Sequence, residues 1–211
     1  MSNSVSDGVR VSDTSANPAP LGLLGFGMTT ILLNLHNAGF YPLNVMIMGM
    51  GLFVGGLAQV IAGVLESRKG NTFGMTAFTA YGFFWISLVT IWLLPKTGAA
   101  AADQFAMGWY LVMWGVFTLG MFIGTLRINR ALQVVFSTLT VLFALLAIEN
   151  FLIGFGTVGT DIGLLDGGKT VGLGAGWVGL VCGLSAVYAS LAQVINEVWG
   201  RILLPLGNNK K

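Results

Sequence analysis

Charge is scarce in this chain. Only 9% of its 211 residues are Asp, Glu, Lys or Arg, against about 25% in soluble domains. That scarcity excludes an ordinary water-soluble fold. The net charge of +2 comes without a basic run or an aromatic stacking platform, so no nucleic-acid partner is expected. There is one cysteine, Cys182, which excludes a disulfide within the chain and leaves no thiol cluster for a metal. It lies in an apolar run and reads as a buried, inert thiol. There is one histidine, His36. No Ser/His/Asp or Cys/His arrangement and no phosphate-binding loop stands out, so neither an enzyme nor a cofactor site is expected. The first 16 residues, MSNSVSDGVRVSDTSA, lack the apolar core of a signal peptide and read as a disordered cytoplasmic tail.

Apolar sequence is abundant instead. Hydrophobic residues make up 55% of the chain and the mean hydropathy is +0.82. Six stretches, 20–37, 43–65, 73–94, 105–126, 132–151 and 173–195, each approach the roughly 20 residues needed to cross a bilayer. The expected fold is an all-α, multi-pass membrane protein with a tail at 1–16, a six-helix domain at 17–199 and a C-terminal tail at 200–211. The glycine-rich stretch 154–172, with Asp161, Asp166 and Lys169, reads as a loop outside the bilayer. Basic residues set the orientation. With the N-terminus inside, Arg10, Arg68, Lys69, Arg127, Arg130, Arg201, Lys210 and Lys211 are internal, and only Lys96 and Lys169 are external. Both termini are therefore expected in the cytoplasm. Trp92 and Trp109 then fall near the outer boundary and Trp199 near the inner one, as interfacial aromatics do. Three glycine pairs at four-residue spacing, Gly51/Gly55, Gly120/Gly124 and Gly179/Gly183, mark close helix contacts within one bundle or between protomers.

The stretch 17–40, NPAPLGLLGFGMTTILLNLHNAGF, is more than an anchor. Asn17 can cap a helix, Pro18 sits where its missing N–H costs nothing, and Pro20 falls within the first turn. Such a start leaves N–H groups and a positive dipole end facing the mouth, which suits a small anion. Polar residues follow at Thr29, Thr30, Asn34 and His36. Thr29 and Thr30 point about 100° apart and cannot both face a pathway; Thr30 and Asn34 are the pathway candidates. Asn71, before Thr72-Phe73-Gly74, offers a second capped start. Gln59 and Gln193 read as interhelical partners. Counted from the starts at Asn17, Asn71 and Arg130, the residues Phe26, Tyr81 and Leu139 all lie about 14 Å deep, near the middle of the hydrocarbon. Shared depth alone leaves ordinary packing and a hydrophobic gate both open.

Longer motifs carry a resemblance. Asn17-Pro18-Ala19-Pro20-Leu21-Gly22 continues through Gly25-Phe26-Gly27-Met28-Thr29-Thr30 to Asn34-Leu35-His36-Asn37. Gly70-Asn71-Thr72-Phe73-Gly74, Ala77-Phe78-Thr79-Ala80-Tyr81-Gly82 and the run from Leu139 to Leu146 follow. Together they resemble the acetate uptake transporter family, whose prokaryotic members include succinate–acetate permeases. The resemblance covers nearly all of the chain after residue 16. It implies six-helix protomers assembling as homo-hexamers in the cytoplasmic membrane. It also implies passage of acetate, and of short carboxylates such as succinate, through a channel or a proton-coupled path in each protomer. It implies that Phe26, Tyr81 and Leu139 form the pore constriction.

Glu149 departs from that pattern, standing where the bacterial permeases are expected to hold a small residue. It lies about 19 residues beyond Arg130, near the outer end of its span, and reads either as a vestibule carboxylate or as a proton relay. Glu149 and His36 are the candidates for protonation. Two other readings of the chain are weighed. An aquaporin needs two Asn-Pro-Ala motifs meeting at the midplane, and this chain has one. A structural or sensory membrane protein without a pathway is compatible with composition, and a flux assay separates it.

Overall fold

The computed structural model describes residues 15–207. Most of the expected N-terminal tail, and Arg10, Lys210 and Lys211, lie outside the described residues. Six helices follow: α1 (Ala19–Asn37), α2 (Val45–Arg68), α3 (Thr72–Leu93, continued by a 3-10 turn at Leu94–Thr97), α4 (Gln104–Thr125), α5 (Arg130–Gly159) and α6 (Ile162–Trp199). All six are long and apolar enough to cross a membrane. Among the described residues there is no β-strand. The all-α, six-span expectation is met.

Most helix starts are explained by one side chain. Asn44, Asn71, Asp103, Asn129 and Asp161 each accept a backbone N–H from the first turn that follows, satisfying donors that no helical carbonyl can reach. At α1 the expected cap moves by one residue. Pro18 occupies the boundary and has no side chain to offer. Asn17, one position earlier, still accepts the N–H of Ala19 at 3.1 Å.

The loop expected at 154–172 is helical. α5 runs to Gly159, the chain turns at Thr160 and Asp161, and α6 begins at Ile162. The glycines serve contact rather than breakage. A Cβ at Gly156 would run into Leu165, one at Gly168 into Ile153, and one at Gly172 into the Glu149 carboxylate. At 38 residues α6 is about 57 Å long, well beyond a hydrocarbon core of about 30 Å. The α5–α6 hairpin therefore extends past the depth that a bilayer requires.

Around the bundle α4 packs on α5, α5 on α6, α6 on α1, α1 on α2 and α2 on α3. Rings close the circle between α3 and α4, with Phe84 stacked on Tyr110 at 5.9 Å and Tyr81 against Phe117 at 5.4 Å. The α1–α6 seam brings two backbones together. A Cβ on Gly27 would lie 2.8 Å from the Gly183 carbonyl, and one on Gly183 would lie 2.9 Å from the Gly27 carbonyl. α2 contains a π-helical stretch, Met50–Ala58, where Gly55 and Gly56 let Trp85 and Ile86 of α3 approach. After α6 the segment 201–207 folds back. Leu206 and Gly207 offer their carbonyls to the N–H groups of Ala131 and Arg130 at the start of α5.

Candidate functional site: two cavities on one axis

Three helices begin at the same end of the bundle and aim their first turns at one cavity of about 230 Å³. Asn17, Asn71 and Asn129 line it, each with its Oδ1 engaged by the backbone of α1, α3 or α5. Capping thus fixes these amides, and the positive ends of three helix dipoles converge here. The amide of Asn17 donates to Gln193 Oε1 at 3.0 Å, tying the start of α1 to α6. The amide of Asn71 donates to Glu66 Oε2 at 2.8 Å.

Deeper in, the lining turns apolar. Phe26, Tyr81 and Leu139 are the deepest lining residues that α1, α3 and α5 contribute. They are 5%, 3% and 3% exposed. The Phe26 and Tyr81 rings lie 5.9 Å apart. Tyr81 is held in place: its hydroxyl shares a hydrogen bond with Thr118 Oγ1 of α4 at 2.8 Å, and Phe117 and Phe136 flank its ring.

A second cavity, of about 640 Å³, opens at the other end. Leu33, Phe84, Leu88, Leu111 and Leu146 are among its walls, and His36, Lys96, Glu149 and Asn150 bring polarity. Tyr81 lines the first cavity and Phe84 the second. They are three residues apart on α3, about 4.5 Å of rise. The two spaces are therefore end to end, separated by roughly one helical turn of aromatic and aliphatic side chains.

The sequence candidates divide among these places. Asn17 and Asn71 lie at the mouth of the first cavity, the trio at its floor, and His36 and Glu149 in the second. His36 also has a structural bond, its Nδ1 lying 2.9 Å from the Tyr41 carbonyl. Thr30 and Asn34 line neither cavity. Asn34 is buried against Gly179 of α6, donates to the Thr30 carbonyl at 2.9 Å and accepts from Asn37. Gln193 joins two elements as expected. Gln59 does not: its Nε2 bonds the Gly55 carbonyl of its own helix at 2.6 Å, and its Oε1 meets no protein donor.

A family comparison decides what this architecture is. The family described as GPR1/FUN34/yaaH matches residues 7–205. The chain belongs to that family. It is 55% identical over 196 residues to the succinate-acetate/proton symporter SatP of Escherichia coli (strain K12), covering 92% of this chain and 96% of that protein. It is 32% identical to acetate permease A of Emericella nidulans, covering 92% of this chain and 66% of the permease. A solved structure described as the bacterial acetate channel SatP superposes with a TM-score of 0.82 at 54% identity, over 92% of this chain and 99% of that one. Those relatives are transporters and channels, and this family member is likewise a multi-pass membrane protein and no enzyme.

Four residues of the first cavity escape a linear reading: Gln59, Glu66, Asn129 and Gln193. Asn129 is hidden behind Arg130, which marks the span boundary by charge. Glu66 sits near Arg68 and Lys69 and looks interfacial. The available signal is spacing, since Gln59 and Glu66 are seven residues apart and share one face of α2.

Proposed function

We propose that this protein passes acetate, and short carboxylates such as succinate, across the cytoplasmic membrane through a path in each protomer of a homo-hexamer. The observation that carries this reading is the pair of end-to-end cavities parted by a single apolar turn. The asparagine-lined cavity faces the cytoplasm in this reading, the orientation supported by the basic residues, and the Glu149 cavity faces outward. Amide hydrogens and three helix N-termini draw the carboxylate to the inner mouth. Phe26, Tyr81 and Leu139 form the neck, which suits a small solute with an apolar methyl group and excludes larger hydrated ions. An ionised carboxylate pays a large desolvation cost in such a neck, so fixed dipoles or an accompanying proton must offset it.

The two SatP descriptions differ on mechanism, one naming a proton symporter and the other a channel. Acetate flux into proteoliposomes, with and without an imposed pH gradient and beside single-channel recordings, tests the reading and separates those mechanisms. Flux no faster than in protein-free liposomes overturns it.

A further inference from the structure

Glu66 is the least expected residue of the inner cavity. It lies at the end of α2 and is 3% exposed. Its Oε2 accepts from Asn71 at 2.8 Å, and its Oε1 is buried without a protein partner. The only other buried cavity-lining oxygen in that condition is Gln59 Oε1, among the described residues. Both are acceptors. Their shared lack is a donor, and a buried acceptor left unmet is costly.

Among the described residues no Lys, Arg or His lines this cavity, and Tyr81 is its one other titratable side chain. Tyr81 already shares a hydrogen bond with Thr118. The charged groups of the neighbouring elements stay outside. Arg68, Arg127, Arg130 and Glu197 are exposed and Lys69 is half-buried, with its amino group on the Ser15 carbonyl. A carboxylate solute entering here meets a carboxyl group with no cation between them. Two ionised carboxylates confined together repel, and such a pair holds one proton between its members.

We infer that Glu66 is the proton-bearing and selecting residue of the inner cavity: it admits a monocarboxylate only when one proton is shared between its side chain and the solute. The inference rests on the acetate reading above and deepens it. When protonated, Glu66 donates from its carboxyl to the solute oxygen, while Asn71 holds the other oxygen in place. When ionised, it turns the solute away. A dicarboxylate in its doubly ionised form brings a second charge that the cavity cannot match, so singly charged solutes are favoured. Each bound carboxylate needs the proton that Glu66 carries, so occupancy is greatest where protons are plentiful and falls as they become scarce.

The test is exchange of labelled acetate in proteoliposomes held at equal pH on both sides, across mildly acid to mildly alkaline values, with protein-free liposomes subtracted. In the native protein exchange declines with rising pH, approaching about tenfold per unit where one proton accompanies each solute. Glu66→Gln keeps the shape and supplies a permanent donor, so its exchange is expected to be nearly flat with pH and faster than native in alkali. A Glu66→Gln profile parallel to the native one overturns the inference.

A second arm needs no variant and decides the matter if Glu66→Gln does not fold. Fluoroacetate is nearly the size of acetate and a markedly stronger acid. If Glu66 supplies the proton, native fluoroacetate exchange stays within severalfold of acetate exchange at each pH. Fluoroacetate exchange slower than acetate at every pH by the ratio of the two acidities, the mark of a proton carried by the solute, overturns the inference. Absence of acetate exchange by the native protein would instead sink the transport reading itself, so the two failures are distinct.

Discussion

At the scale of single residues, the proposed neck rests on side chains that are buried and cross-braced. Phe26 touches the Tyr81 ring, and Tyr81 is pinned by Thr118. Leu139 has no polar duty and sits on α5. It is therefore the cleanest place to widen the proposed constriction. Leu139→Ala removes buried volume at a stability cost of about 2–5 kcal/mol. It should raise the flux of longer monocarboxylates severalfold relative to acetate, read as relative rates of labelled solutes in proteoliposomes. Phe26→Ala and Tyr81→Ala should act in the same direction, the second at further cost because it removes the hydrogen bond to Thr118, which keeps only its donation to the Trp114 carbonyl. Unchanged selectivity in all three folded variants would place the neck elsewhere.

At the scale of elements, hydropathy and basic residues made six helices legible, because lipid demands long apolar runs with internally satisfied backbones. The α5–α6 hairpin was not legible. Glycines that break an exposed helix permit contact in a packed one, and the sequence does not say which neighbour waits at Gly156 or Gly168. The glycine pairs show the same limit. Gly51/Gly55 and Gly179/Gly183 face other helices of the same chain, whereas Gly120 faces open space. In the candidate site, depth counting brought Phe26, Tyr81 and Leu139 to one level. Glu66 and Gln59 lie on a helix for which no boundary residue invited a count. The seam between α1 and α6 provides the element-scale prediction. On Gly183 a Cβ would meet the backbone nitrogen of Ile31 and the carbonyl of Gly27, both at 2.9 Å. Backbone cannot rotate away as a side chain can. Gly183→Ala should cost about 1–3 kcal/mol, seen as a lower thermal-unfolding midpoint in detergent, whereas Gly174→Ala, which meets nothing within 4 Å and replaces an exposed helical glycine, should hold or raise it.

At the scale of the whole molecule, orientation and coupling are joined. If the asparagine-lined cavity is cytoplasmic, a cysteine at position 211, in a background lacking Cys182, reacts with an impermeant maleimide only after cells are opened. A cysteine at position 169 reacts in intact cells. The opposite pattern would invert the molecule. Orientation then decides which titratable groups meet the solute first. His36 and Glu149 both line the outward cavity in this arrangement, beyond the aromatic turn at Phe84. Neither touches the neck or the inner cavity. Acetate is a carboxylic acid of the same order as Glu, with a pKa of about 4.3, and arrives almost wholly ionised at neutral pH. A group that had to hand it a proton inside the apolar stretch would need to stand there, and intramembrane relays are built from such residues. His36 instead secures a turn through Nδ1 and the Tyr41 carbonyl, and Glu149 packs on Gly172 of α6. Glu149→Gln preserves that packing and removes only the charge. His36→Gln keeps an amide able to donate to the same carbonyl. Both variants should retain acetate uptake within about threefold of native, a change of less than 1 kcal/mol in the barrier. The measurement is initial uptake of labelled acetate, normalised to folded protein in the membrane. Abolished uptake by a well-folded Glu149→Gln protein would make the outer carboxylate an obligatory proton carrier and move the coupling step from the inner cavity to the outer one.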